Sequence, residues 1–265
     1  MNDLQLLLRS RSLSLLLNRG KRRFSKNLSS FKFKGRPLFY RPGSSDIINI
    51  QQLLLRENKE SEYFIPKALN PLVILDIGAN TGISTVSLAT RFPAAKILAF
   101  EPVPDNFSIL LKNIEPFRNI QAFQIALGPF DGKLTLKTPA DARDFVGYSQ
   151  YGFGETSGDL TVNVRSPSSL LEEIHIDRID LIKIDAEGTE YDILTALDPK
   201  MLAQVHWIAG ELHGIKDWIL LEHLSKDFYL EIKKTFWCRM SKFYACNKKI
   251  IIKVSDDANP RRLEL

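Results

Sequence analysis

The run Val73-Ile74-Leu75-Asp76-Ile77-Gly78-Ala79-Asn80-Thr81-Gly82 narrows what this chain can fold into more than any other. An apolar stretch of strand length followed by small turn residues reads as a buried strand handing over to a helix. A second such stretch, Ile97-Leu98-Ala99-Phe100-Glu101, ends on an acid 25 positions after Asp76. Buried strands that each end in a carboxylate suit an open parallel sheet, whose ligands bind outside the carboxyl ends of the strands.

From residue 71 onward, strand and helix patterns alternate. Strands are expected near 72–77, 96–101, 120–126, 180–185, 205–212, 227–234 and 242–252, and helices near 82–91, 104–115, 168–175, 188–197 and 215–225. That alternation predicts an α/β domain over 71–265, a mainly parallel seven-stranded sheet with helices on both faces. No helix separates the last two strands, so they are expected to pair as a C-terminal antiparallel hairpin. Residues 31–70 read as a lead-in segment packed on that domain. It holds a hairpin over Phe31–Tyr40 and a helix from Ile47 to Glu57 capped by Asp46. Residues 128–165 break the alternation with eight Gly or Pro and with Phe145, Tyr148, Tyr151 and Phe153. They are expected to form a short hairpin and then a long mobile loop suited to a substrate lid.

Charge is unevenly spread. Residues 1–45 hold 11 Lys or Arg against one acid, Asp3, for +10, so the remaining 220 residues carry −5 of the net +5. Residues 1–30 are rich in Leu, Arg and Ser, with Leu4, Leu7, Leu8, Leu15, Leu16 and Leu17 on one broad helical face broken near Gly20. This arm suits a flexible, loosely packed extension, an amphipathic helix on a membrane surface, or a targeting peptide. No apolar run approaches the roughly 18–20 residues that span a bilayer. Cys238 and Cys246 lack metal-type spacing and read as reduced packing residues. A cytoplasmic location, with membrane-peripheral contact through the arm, is the expectation.

The turn after the first strand separates cofactor classes. A dinucleotide site uses G-x-G-x-x-G and sets a pyrophosphate on a helix N-terminus. Here the spacing is G-x-x-x-G, with Asp76 two residues before Gly78. A carboxylate there would repel a pyrophosphate and would suit the ammonium of S-adenosylmethionine. Glu101 can accept from both ribose hydroxyls in either class. Gly78 lets backbone approach a ligand, Asn80 tolerates an unusual conformation, and Gly82 lets the next helix start tight against the strand.

Together, Leu75 to Gly82, Ala99-Phe100-Glu101-Pro102, Ala126-Leu127-Gly128 and Ile182-Lys183-Ile184-Asp185-Ala186-Glu187-Gly188-Thr189-Glu190 resemble the FkbM family of S-adenosylmethionine-dependent methyltransferases. Arg41-Pro42-Gly43-Ser44-Ser45-Asp46 and Glu211-Leu212-His213 are similar to family segments as well. The resemblance covers about residues 38–235. It implies a Rossmann-like class I methyltransferase fold and O-methylation of a hydroxyl on a sugar, a glycolipid or polysaccharide precursor, or a secondary metabolite. It places cofactor contacts at Asp76, Gly78, Asn80, Gly82, Glu101, Pro102 and, through its backbone, Ala126.

Lys183, Asp185 and Glu187 alternate in sequence, and Glu211 and His213 repeat that two-residue period on the next strand. Neighbouring parallel strands would bring all five to the cofactor edge as catalytic candidates. Asp185 or His213 could take the hydroxyl proton. Alternatively Asp185, Glu187 and Glu211 could hold Mg²⁺, which prefers oxygen ligands. Partners are then a small molecule or carbohydrate. Nucleic acid is not expected, because the body is acidic. A nucleic-acid methyltransferase and an NAD-type oxidoreductase are the rival readings.

Overall fold

The computed structural model of the chain describes residues 1–19, 27–56, 61, 63–139, 156–234 and 241–249. Its centre is a seven-stranded sheet. β3 (Val73–Ile77), β4 (Lys96–Phe100) and β5 (Ile120–Phe123) run to one side, and β9 (Leu181–Ile184) and β10 (Trp207–Leu212) to the other. β11 (Phe228–Lys234) and β12 (Ser241–Asn247) finish the sheet, in the order β11-β12-β10-β9-β3-β4-β5. All neighbours are parallel except β12, which lies antiparallel between β10 and β11. This is the Rossmann-like order with its antiparallel end. The sheet reverses direction of growth at β3, so β3, β4 and β9 frame the crevice where ligands bind.

Strand alternation sorts the core into two layers. Leu75, Ile77, Ile182, Ile184 and Ile208 face one side, against Leu194 of α7 (Glu190–Thr195) and Leu220 and Leu224 of α9 (Asp217–Ser225). Ile74, Leu181, Trp207 and Ala209 face the other, against Leu88 and Ala89 of α4 (Ile83–Arg91). Trp207 donates its indole N–H to the Phe64 carbonyl at 3.0 Å, fastening the lead-in segment to β10. α5 (Pro104–Ile114), with Pro104 in its first turn, packs against α4, and Gly82 is what permits it. At φ +80° Gly82 starts α4, and a Cβ there would lie 3.3 Å from the Leu110 Cα.

Three segments differ from expectation. Residues 120–126 are not one strand: β5 stops at Phe123, and β6 (Ala126–Leu127) joins a separate sheet with β8 (Thr156–Arg165) and β7 (Gly132–Pro139), in the order β6-β8-β7. The hairpin expected within 128–165 is formed by β7 and β8, so its second strand lies where the loop was expected. In β8, Val162 and Val164 are buried while Thr161 and Asn163 are exposed, a half-polar alternation typical of a one-sided sheet. The aromatics at 145–153 lie outside the described residues. Asp46 opens a short α3 (Asp46–Asn49), which passes into a π-helical turn at Ile50–Leu54. Asp46 does not cap it; its carboxylate is turned inward.

The arm is not loosely packed over the residues described. It folds as α1 (Asp3–Ser10) and α2 (Leu13–Arg19), separated at Arg11, whose left-handed φ of 51° ends α1 well before Gly20. Leu6 and Leu15 are fully buried against Phe31, Leu38 and Tyr40 of the hairpin β1 (Ser29–Phe33) and β2 (Arg36–Tyr40). Asn18 donates to the Tyr40 hydroxyl at 2.8 Å, so its amide is satisfied inside that contact. Among the described residues, no helix is long and apolar enough to cross a membrane.

Candidate active site

Asp76 sits on the same face of β3 as Ile74, so its side chain points toward α4 and away from the crevice. It accepts from Ser84 Oγ at 2.8 Å and Thr85 Oγ1 at 2.6 Å, and Lys183 Nζ stands 3.4 Å away. It is fully buried and does not line the cavity beyond the strand ends, contrary to a direct contact with a cofactor ammonium. Lys183, beside it in register on β9, likewise works inward. Its ammonium donates to the Gly78 carbonyl at 2.7 Å and the Ile77 carbonyl at 3.3 Å. Burial alone would push Lys183 down, but Asp76, Asp185 and Glu211 outweigh it and hold the ammonium charged. Asp76, Ser84, Thr85 and Lys183 thus form a clamp that fixes the turn, and Lys183 is a positioning residue.

The fixed turn is strained in a useful way. Gly78 and Asn80 both have positive φ, +73° and +49°. A Cβ on Gly78 would fall 1.8 Å from the Asp185 carbonyl oxygen, so only glycine lets β3 and the end of β9 come this close. The Asn80 N–H donates to Glu101 Oε2 and the Val103 N–H to Glu101 Oε1, each at 2.8 Å. Burial pushes the Glu101 carboxyl up to about 7, with those two N–H groups opposing the rise.

Beyond the strand ends lies a cavity of about 400 Å³. Gly78, Asn80, Glu101, Pro102 and Ala126 line one part; Lys183, Asp185, Glu187 and Glu211 line another. Gly82 and His213 do not line it. Glu187 is not on a strand: β9 stops at Ile184, and Glu187 turns back with φ +52°. The acids converge nonetheless. His213 Nε2 is 3.5 Å from Asp185, 3.6 Å from Glu187 and 3.8 Å from Glu211, while its Nδ1 is 2.9 Å from Glu190 Oε1. Glu190 also receives the Ala186 and Gly188 N–H groups, bracing the turn before α7.

These distances decide the role of His213. Its side chain is 2% exposed. Burial favours the neutral ring, but Glu190, Asp185 and Glu187 outweigh it and push the imidazole up to about 10. That charge environment favours the protonated ring, which makes Asp185 the better placed of the two groups the sequence offered for the hydroxyl proton. Glu187 goes well above the usual carboxylate range, from burial and then from Asp185. The same arrangement disfavours Mg²⁺. Asp185, Glu211 and His213 bring one ligand atom each within 4.8 Å of one another, replacing Glu187 of the expected trio by an imidazole. Mg²⁺ prefers oxygen donors, so an imidazole in the trio makes it a poorer fit for that ion.

The sequence did not point to two further groups. Tyr63, from the lead-in segment, donates its hydroxyl to Asp185 Oδ2 at 2.8 Å and lines the cavity. Lys242, opening β12, lies 3.6 Å from Glu211 and also lines it. Near the cavity, Arg41 makes a saturated buried pair with Asp46: Nε to Oδ2 at 2.9 Å, Nη2 to Oδ1 at 2.8 Å, and its backbone N–H to Oδ2 at 2.9 Å. Arg41 Nη1 donates to Asn106 at 2.8 Å, tying the pair to α5.

A family model described as the methyltransferase FkbM domain matches residues 76–232, which include Asp76, Gly78, Asn80, Glu101, Asp185, Glu187, Glu211 and His213 but not Tyr63, Lys242 or the Arg41–Asp46 pair. Methyltransferase 1 of Beauveria bassiana is 28% identical over 186 residues, 62% of this chain and 75% of that protein. Hexuronic acid methyltransferase AglP of Haloferax volcanii is 26% identical over 174 residues, 65% of this chain and 63% of the relative. 2-O-methyltransferase NoeI of Sinorhizobium fredii is 27% identical over 135 residues, 46% and 56%. The chain therefore spans less than two thirds of the latter two. With its matched segment framing the cavity and its acids, the chain belongs to the FkbM family of methyltransferases.

Proposed function

We propose that the chain uses S-adenosylmethionine to methylate a hydroxyl of a sugar, a glycolipid or polysaccharide precursor, or a secondary metabolite. The observation that carries this reading is the placement of Glu101 and Asp185 on one cavity, at the ends of the two strands that flank β3. Glu101, with each oxygen already fixed by a backbone N–H, keeps lone pairs for a ribose diol. Gly78 and the Ala126 backbone give the nucleoside close approach. The cofactor's sulfonium supplies the electrophilic methyl carbon. Asp185, oriented by Tyr63, takes the proton of the acceptor hydroxyl. Glu187 lies on the same cavity wall as Asp185, where it can hydrogen-bond the acceptor. His213 stays protonated and offsets the charge gathered at Asp185, Glu187 and Glu211. Two of the named relatives act, by name, on a hexuronic acid and at a 2-hydroxyl, which favours a carbohydrate acceptor.

Calorimetric titration with S-adenosylhomocysteine tests the cofactor, with NAD as control. Saturable heat with the first and none with the second is expected. Absence of heat and of thermal stabilisation at about millimolar ligand, where even weak sites fill, would overturn the reading. Acceptors are then screened with labelled S-adenosylmethionine on hexuronic acids and neutral oligosaccharides.

A further inference from the structure

The arm's two helices are each half used. α1 buries Leu6 and Ser10 and α2 buries Leu15 and Asn18, yet Leu4 and Leu8 are each 66% exposed, Leu13 60% and Leu17 63%. In each exposed pair the residues are four apart, so each pair forms one apolar stripe on its helix. The helices are held in place, not frayed: Arg9 donates to the Leu55 carbonyl at 2.8 Å, and Arg19 pairs with Asp3 across the two helices at 2.9 Å. Around the leucines the sequence is cationic, with Arg9, Arg11 and Arg19, then Lys21, Arg22, Arg23 and Lys26. Residues 1–45 carry +10, whereas the other 220 carry −5.

We propose that this face docks on the surface of an anionic phospholipid bilayer. Apolar residues seated at the headgroup boundary with a basic surround are what holds an interfacial helix, and the basic residues select negatively charged lipid. The acidic body would be repelled from the same surface, so the charge division also sets which side faces the lipid. The packed side of the arm shares its core with Ile47, Ile50 and Ile83, and Ile83 is in the wall of the cavity. Docking therefore holds the wall of the cavity close to the bilayer. This inference stands independently of the proposed acceptor.

The test is cosedimentation of the full chain with vesicles of neutral phosphatidylcholine and with vesicles containing about a third phosphatidylserine. Binding to the anionic vesicles, weakened at least tenfold by raising salt about fivefold, and absent with neutral vesicles, is expected. The quadruple variant Leu4→Ser, Leu8→Ser, Leu13→Ser, Leu17→Ser is expected to lose binding tenfold or more while its melting temperature and adenosylhomocysteine affinity stay those of the parent. A second variant, Lys21→Gln, Arg22→Gln, Arg23→Gln, Lys26→Gln, changes no residue of α1 or α2 and is expected to bind less and with a flatter salt dependence. Equal binding to neutral vesicles, no binding to either, or parent-like binding by both variants overturns the proposal. So does a dimer in light scattering that the leucine variant dissolves, which would give the face to a second copy of the chain.

Discussion

Two buried charge clusters lie within this site, and they are built differently. In Arg41–Asp46, the guanidinium and carboxylate meet in paired contacts of 2.8–2.9 Å, with a backbone N–H and Asn106 taking up remaining capacity. Around His213 the contacts to Asp185, Glu187 and Glu211 are 3.5–3.8 Å, and those three acids reach a cavity. The His213 side chain is as buried as the Arg41 pair, while Asp185 and Glu187 are partly exposed at the cavity; hydrogen-bond geometry separates the two clusters. A saturated pair has no capacity left for a substrate and serves to hold segments together. A looser cluster keeps lone pairs and protons that a ligand can use.

The comparison breaks first at Asp185. Asp185→Asn keeps the shape and the Tyr63 contact, so turnover should fall by about a hundred- to ten-thousand-fold while adenosylhomocysteine affinity stays within about twofold. Loss of cofactor binding with turnover, measured by calorimetry, would move Asp185 into the binding machinery instead. Arg41→Met should do the opposite. Leaving Asp46 buried without its partner should cost about 3–5 kcal/mol of stability, read by denaturant melts, and a near-neutral result would show that the pair is not structural.

The loose cluster also predicts a pH response with a defined sign. His213 is raised from an ordinary value near 6.5 to about 10, so its contribution to stability is complete below about pH 6.5 and disappears as pH rises through about 10. Glu101, raised from 4.5 to about 7, acts with the same sign but at lower pH, its contribution being lost between those values, and Glu187, also raised, has the same sign. The melting midpoint should fall between pH 7 and pH 10 by about 2–4 °C for each kcal/mol lost. His213→Gln should flatten that slope; an unchanged slope would show that the ring is neutral. The smallest effect belongs to the exposed Lys137–Asp159 pair at 2.7 Å. Lys137→Gln should change stability by about 0–1 kcal/mol, which calibrates the other measurements.

The strands that frame the site were legible because their signal is local. β3, β4, β9 and β10 are short apolar runs, each carrying an acid or followed by one within a residue, and their alternation with helices marks a mainly parallel sheet. Glu101, Asp185, Glu187 and Glu211 were found the same way. What escaped the sequence depends on partners far along the chain or on a direction of pointing. Tyr63 matters through Asp185, 122 positions away. The sequence assigns Asp76 a cofactor contact, and only its place on the inner face of β3 shows Ser84, Thr85 and Lys183 beside its carboxylate. The protonation of His213 is set by acids of a neighbouring turn and helix, so no spacing rule could give it. β8 was missed because only one side of it is covered, leaving its exposed half as polar as a loop.

β12 is the last described strand in sequence, yet it lies between β10 and β11. While the chain is being synthesised, β10 must therefore stand as an open sheet edge until residue 247 has left the ribosome, and Glu211 must wait for Lys242. An uncovered edge strand invites pairing with the wrong chain, so the nascent protein is most exposed to aggregation at the very strand that carries Glu211. The inserted strand thus makes the edge that carries Glu211 the last part of the described sheet to close.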